Sequence, residues 1–328
     1  MAPKSILVTG ASGYIGGTFL ATFLDGNNEW VNHYQVSVLV RTKGQADFAR
    51  ANNITPALFE TFDDSELLTR IGQDFDTMSS PGVHLSVAVL FSNRSSTVIV
   101  HTGQGWHPTA ATSLFSGQEK RQRDLERKVH FLSISGTSNF SDRPVTGKFI
   151  DNRVKSDEED MYSREKYRRG EFNKFTFQLP VMVQAAKKCS SVAMIGEGTS
   201  IENHVHVEDI ASLLNTLLAR IHDGQEIRGK RGIYFCESGE HTSRSYAQAL
   251  ATVLKERGVI ESDEVKSLDL QAVADLCMPG LPLTLVELPF AGNSRTKAVL
   301  GRKVGWSPKH TGSWTINLGQ EVDDYWRL

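Results

Sequence analysis

Three glycines carry the first chemical reading of this chain. Gly10, Gly13 and Gly16 fall in Thr9-Gly-Ala-Ser-Gly-Tyr-Ile-Gly16, after the apolar run Ser5-Ile-Leu-Val8. Behind them Ile15, Phe19, Leu20, Phe23 and Leu24 recur at helical spacing up to Gly26. Strand, tight turn and helix in that order form a cradle for a pyrophosphate. Gly10 permits the sharp turn, Gly13 lets backbone amides approach the ligand, and Gly16 lets the helix pack close on the strand with its positive end toward the negative charge. Gly10, Ser12, Gly13, Tyr14, Ile15 and Gly16 are therefore the candidate contacts to a dinucleotide. A glycine turn with no ligand is the alternative reading.

A second buried strand is expected over Val36 to Val40, and the residues that follow it are Arg41-Thr-Lys43. An Asp or Glu at that place binds the ribose hydroxyls of NAD, whereas an Arg accommodates a 2′-phosphate through a charge-assisted bond. Arg41 and Lys43 thus favour NADP (NADPH) over NAD, against the alternative of surface cations with no ligand.

The elements that position these residues follow from the apolar pattern. Uninterrupted apolar strands at Ser5 to Val8 and Val36 to Val40, with more expected at Thr97 to His101 and Val129 to Ile134, point to a parallel sheet covered on both faces. Polar helical stretches such as Ser116 to Lys128 lie between strands, so the expected fold class is α/β, a Rossmann doubly wound parallel sheet. After about residue 170 the pattern changes to amphipathic helices, Val181 to Lys188 and Asp209 to Ile221, with short strands at Val192 to Ile195 and Gly232 to Cys236. The division expected is a Rossmann domain over 1–170 and a smaller, partly interleaved substrate region over 171–328.

Bulk properties restrict the partners. With 36 Lys and Arg against 38 Asp and Glu, no net field draws the chain to nucleic acid or to an anionic membrane. A small-molecule substrate is expected, with a homodimer as the possible assembly. Cys189, Cys236 and Cys277 lack metal-ligand spacing and suit reduced thiols, so neither a disulfide nor a structural zinc is expected. The sequence passes directly from Ser5 into the first strand, and cytoplasm is the expected location.

Further segments carry a resemblance. Tyr162-Ser-Arg-Glu-Lys166 has YxxxK spacing, and Phe131-Leu-Ser-Ile-Ser135-Gly-Thr137 stands upstream of it. His204-Val-His-Val-Glu-Asp209 looks like an HVxD-type segment opening a helix, and Gly305-Trp306-Ser-Pro308 like a GWxP ending. With the glycine turn, these resemble the extended and atypical short-chain dehydrogenases/reductases, most closely NmrA-like and epimerase/dehydratase-like proteins of fungal type. The resemblance implies an NADP-dependent oxidoreductase acting on a carbonyl or alcohol of a small secondary metabolite. It equally admits a non-catalytic NmrA-like dinucleotide-binding regulator or a redox-neutral epimerase or isomerase. By the same resemblance Tyr162 is the general acid or base and Lys166 lowers its pKa and holds the nicotinamide ribose. Ser135 orients the substrate oxygen, with Thr137 as the neighbouring candidate, and Thr102 and Gly103 contact the cofactor. An i, i+4 pair shares one helical face, which gives the YxxxK spacing its chemical sense; a solvated charged face bearing Arg164, Arg168 and Arg169 is the alternative.

The chain departs from that pattern in three places. No buried strand with an RPxxxYG-like segment follows Lys166, so one strand of the sheet is expected to be missing. Met78 to Ser96 is an added segment containing the apolar run Val83 to Phe91, and Thr61 stands where the family has an Asp near the adenine. Two lesser signals lead elsewhere. His204 and His206 have no third ligand beside them, so no metal is expected and Glu208-Asp209 is read as helix-start capping. Ser133, Ser135 and Ser138 lack the GxSxG surround of a hydrolase nucleophile. The residues from Val265 to Asn293 are a largely apolar mixture, which fits a pocket for an apolar oxygenated metabolite.

Overall fold

The computed structural model describes residues 4–26, 29–74, 97–103, 107–125, 128–159, 178–227, 232–312 and 314–326. The chain forms two compact units, Met1–Ser135 with Ile210–Glu226, and Gly136–Asp209 with Ile227–Leu328.

The first unit is built on strands β1 (Lys4–Thr9), β2 (Tyr34–Val40), β3 (Thr55–Leu58), β4 (Thr97–His101) and β5 (Val129–Ser133). They make one parallel sheet of five strands in the order β3-β2-β1-β4-β5. Ile6 faces Val36 on one side and Val98 on the other, so β1 is the central strand, and its Ile6, Leu7 and Val8 are fully buried. The strand order reverses between β1 and β4, and in open α/β sheets a ligand crevice opens at the carboxyl ends of the strands flanking such a reversal. Those ends are Thr9 and His101. Helices α1 (Tyr14–Phe23), α2 (Lys43–Ala51), α3 (Ser65–Asp74) and α4 (Pro108–Leu125) connect the strands. Leu7, Leu39 and Ile99 of the sheet pack with Leu68 and Ile71 of α3 and Leu114 of α4 in one core. This is the Rossmann α/β sheet expected from the sequence. Among the described residues it ends at β5, with no sixth strand beyond it.

The second unit packs the helices Gln178–Cys189, Ser243–Glu256, Leu270–Cys277, Leu283–Phe290 and Trp314–Trp326 around a core that includes Val183, Leu250, Leu254, Val273, Val286 and Val322. Short two-stranded pairings tie its loops. Ala193–Ile195 runs parallel to Lys266–Leu268, and Ile201–His204 antiparallel to Gly239–Thr242.

Some expectations shift. The strand expected over Gly232 to Cys236 is irregular backbone, because the Phe235 amide donates to the Asp157 carboxylate at 3.0 Å instead of to a neighbouring strand. Its ring is buried edge-on against Phe140. The helix expected from Asp209 begins at Val207, and that from Ser116 begins at Pro108. Met78 to Ser96 and the boundary expected near residue 170 lie outside the described residues. Among the described residues no helix is long and apolar enough to cross a membrane.

Candidate functional site

The glycine turn closes on the loop after β4. Gly10 has φ +71°, a left-handed conformation that glycine adopts without strain, and a Cβ there would lie 2.6 Å from the Gly103 amide nitrogen. A Cβ on Gly16 would lie 2.2 Å from the Gly10 carbonyl oxygen and 2.3 Å from Thr102 Oγ1. Real Cβ atoms do not approach so closely, so both positions require glycine. Gly13 donates its amide to the Gly10 carbonyl at 2.9 Å, which closes the turn, and serves as N-cap of α1. It has no side chain to offer as an acceptor to the first-turn amides, and that turn contains no acidic residue. A helix start of this kind accepts an anion through its amides and its positive end. Ser12, Gly13 and Tyr14 are exposed, whereas Ile15 is half-buried and Gly16 buried against β1.

Thr9 ties this turn to β4 from beneath. Its hydroxyl shares a 2.7 Å hydrogen bond with His101 Nδ1 and accepts from the Gly103 amide at 3.4 Å. Its carbonyl accepts from the Thr102 amide and, at 2.7 Å, from the Thr102 hydroxyl. His101 is fully buried, its ring stacked on Phe131 and edge-on to Phe62. Burial, with His107 nearby adding to it, holds His101 down at about 4, so the imidazole is neutral at physiological pH. Phe62 packs over Gly103, where a Cβ would meet its ring at 2.9 Å. The sequence reading named Thr102 and Gly103 but not the Thr9–His101 pair or Phe62. Thr9 and His101 are polar residues ending otherwise apolar strands, which was the available signal.

The structure therefore brings Gly10, Gly13, Gly16, Thr102 and Gly103 together. Arg41 and Lys43 follow β2, both exposed. Thr42 and Gln45 form a capping box that starts α2, and Gln45 Oε1 also accepts from the Arg41 amide at 3.0 Å, which fixes the backbone from which Arg41 projects. Thr61 is exposed and donates to Asp63, whose carboxylate also meets His107 Nε2 at 3.0 Å. Ser135 is exposed and stands two residues after the end of β5; Thr137 opens a short 3₁₀ turn. Tyr162 and Lys166, and with them the YxxxK segment, lie outside the described residues.

In the second unit the HVxD-type and GWxP segments meet. Asp209 is buried inside the first turn of the helix Val207–His222, and its carboxylate accepts the amides of Lys309 at 2.7 Å and His310 at 3.0 Å. Its carbonyl accepts from the buried indole of Trp306 at 2.9 Å. Asp209 thus does not cap its own helix as the sequence reading expected, because the later loop has bare amides that reach it first. His204 and His206 separate: His204 Nδ1 meets His241 Nδ1 at 3.2 Å, whereas His206 stacks on His310. A small cavity of about 30 Å³ is lined by Gln178, Glu202, His241, Tyr246 and Phe290 among others. It has room for a water or two and not for a metabolite.

No protein-family model matches the chain. It resembles the oxidase ucsJ of an Acremonium species, 21% identical over 322 residues, covering 83% of this chain and 85% of that relative. Among solved structures it resembles the dTDP-glucose 4,6-dehydratase of Bacillus anthracis in complex with NAD, with TM-score 0.56 and 15% identity over 99% of this chain and 97% of that one. The Citrobacter triphenylmethane reductase complexed with NADP(H) gives TM-score 0.52 and 15% identity over 96% and 99%. The chain has the fold of the extended short-chain dehydrogenases/reductases, shared by NAD(P)-dependent dehydratases and reductases.

Proposed function

We propose that the protein binds NADP(H) and catalyses oxidoreduction of a carbonyl or alcohol on a small, largely apolar metabolite. The cradle of Gly10, Gly13 and Gly16 against Thr102 and Gly103 carries this reading, because the missing side chains at Gly10 and Gly16 let the turn close on the loop after β4, and Gly13 leaves the first-turn amides of α1 without a side-chain cap. The residues present fit a dinucleotide: first-turn amides of α1 for the pyrophosphate, and Arg41 with Lys43 for a 2′-phosphate. No acidic residue takes the place that would bind the ribose hydroxyls of NAD. When bound, the nicotinamide supplies or accepts a hydride. Tyr162 gives its phenolic proton to the substrate oxygen as the carbonyl carbon is reduced, and takes it back in the reverse direction. The Lys166 ammonium lowers the phenol pKa, and Ser135 holds the substrate oxygen. The Acremonium relative, an oxidase by name, supports redox chemistry. Free thiols at Cys189, Cys236 and Cys277 support a reducing compartment, the cytoplasm.

The test is a fluorescence titration of the folded chain with NADPH and NADH, followed by turnover assays on apolar ketones and alcohols with Tyr162→Phe beside the wild type. Tight NADPH binding, weak NADH binding and a loss of about 10²-fold or more in kcat for the variant are expected. A folded protein that binds neither nucleotide refutes the cofactor assignment. NADPH binding with no turnover, or a Tyr162→Phe rate equal to wild type, refutes the catalytic assignment and favours a dinucleotide-binding regulator.

A further inference from the structure

The start of the helix Val207–His222 and the loop after Pro308 place two imidazoles and a carboxylate side by side. The rings of His206 and His310 are stacked with centroids 4.0 Å apart. Glu208 Oε2 lies 3.5 Å from His310 Nε2. One ligand atom from each of His206, Glu208 and His310 lies within 4.8 Å of the others. The sequence offered His204 and His206 with no third ligand and Glu208 as part of a helix cap; the fold turns His204 to His241 and brings His310 from far downstream to His206 and Glu208.

We infer that His206, Glu208 and His310 form a binding site for a borderline divalent transition-metal ion such as Zn²⁺. Two nitrogens and one carboxylate oxygen suit such an ion, whereas Mg²⁺ and Ca²⁺ seek oxygen ligands throughout. Bonds of about 2.0–2.1 Å in a tetrahedral site set ligand atoms about 3.4 Å apart, so small side-chain rotations bring this trio into place. The fourth position is left to water.

Two features arrange the trio in advance. Asp209 accepts the backbone amides of Lys309 and His310, which pins His310 against the helix start. Asp209 Oδ2 lies 3.4 Å from His310 Nδ1, close to where a carboxylate can orient a metal-binding imidazole. His310 Nδ1 is buried and makes no hydrogen bond among the described residues. Glu208 is exposed, so an ion can enter from solvent. A bound ion would tie residues 206–208 to residue 310, reinforcing the link that Asp209 already makes. Binding to the native state alone raises its stability by mass action.

The experiment uses the full chain without a polyhistidine tag, stripped with a chelator and titrated with Zn²⁺ in competition with a chromophoric chelator. Thermal unfolding is followed in parallel with Zn²⁺ and with Mg²⁺. One Zn²⁺ per chain is expected, with a rise in Tm that Mg²⁺ does not reproduce. Glu208→Gln and His310→Asn should each weaken Zn²⁺ binding at least tenfold. Both keep the backbone amides that Asp209 holds, and Glu208 is a surface residue, so folding in the absence of metal should persist. The proposal is overturned by folded wild-type protein that takes up no Zn²⁺, or by uptake that both variants retain. Uptake that is lost instead on replacing His204 or His241 overturns it equally, since the ion would then sit at that other histidine pair.

Discussion

Gly16 on α1 and Thr102 after β4 approach so closely that a Cβ on the glycine would stand 2.3 Å from the threonine hydroxyl oxygen. That hydroxyl is itself committed, donating to the Thr9 carbonyl at 2.7 Å. Gly16→Ala therefore cannot be accommodated by turning Thr102 alone, since the Gly10 carbonyl blocks the same methyl at 2.2 Å. Forcing α1 away from the strand should destabilise the fold by about 1–3 kcal/mol. It should also lower NADPH affinity by a hundredfold or so, near the loss of about 3 kcal/mol of binding. Gly44→Ala is the control: nothing lies within 4 Å of that Cβ, and inside α2 the change should stabilise by about 0.5–1 kcal/mol. Fluorescence titration and urea unfolding read both. A Gly16→Ala protein that binds NADPH like the wild type would show that the turn does not hold the cofactor.

Arg41 gives a test of cofactor choice separate from that of the turn. It is exposed and follows β2, and its removal disturbs no buried group. If its guanidinium meets a 2′-phosphate, Arg41→Ala loses a charge-assisted bond of about 1.5–3 kcal/mol, roughly ten- to a hundredfold in NADPH affinity. NADH affinity should stay constant. Equal losses for both nucleotides, or none, would leave the preference for NADP without a basis.

How far the sequence could be read depended on the distance between partners. The strand, turn and helix around Gly10 to Gly16 were legible because every requirement is local: apolar run, glycines, helical periodicity. Thr9 and His101 were not, because their hydrogen bond forms only once β1 and β4 lie side by side. Asp209 was read as a helix cap from its position alone, and only the fold reveals that Lys309 and His310 supply its donors. Glu202 gave no signal of burial at all. A charged residue in a short polar stretch such as Ile-Glu-Asn-His reads as exposed, yet packing of the second unit encloses its carboxyl.

The Asp209 junction predicts a stability effect remote from the cofactor. Asp209→Ala leaves the Lys309 and His310 amides without their acceptor in a half-buried loop. Hydrogen bonds to a charged group contribute about 1.5–3 kcal/mol each, and partial rescue by water brings the expected total cost to about 2–4 kcal/mol. Asp209→Asn keeps one acceptor oxygen and should cost less. Urea unfolding measures both, and limited proteolysis should cut the alanine variant sooner near Lys309. An alanine variant within about 0.5 kcal/mol of wild type would mean that the Trp306 contact suffices without the carboxylate.

Stability should also fall on both sides of a mildly acidic optimum. Burial pushes the Glu202 carboxyl up from its ordinary 4.5 to about 8, although the Gln178 side chain, donating to it at 3.4 Å, pulls the other way. Between those values the folded chain keeps a proton that the unfolded chain has released. The contribution is thus whole below 4.5 and is lost as the pH rises through 8, at about 1.4 kcal/mol for each pH unit crossed. His101 and His241 act in the opposite sense. Burial holds both down at about 4, helped by His107 for one and His204 for the other, against an ordinary 6.5. Their contribution is present above 6.5 and is lost as the pH falls through 4. Glu202→Gln keeps the shape and removes the titrating proton. Its Tm should therefore hold level from about pH 7 to about pH 8, while the wild type declines. Parallel curves for the two proteins across that range would show that Glu202 ionises without cost, and hence that water reaches its carboxyl in the folded state.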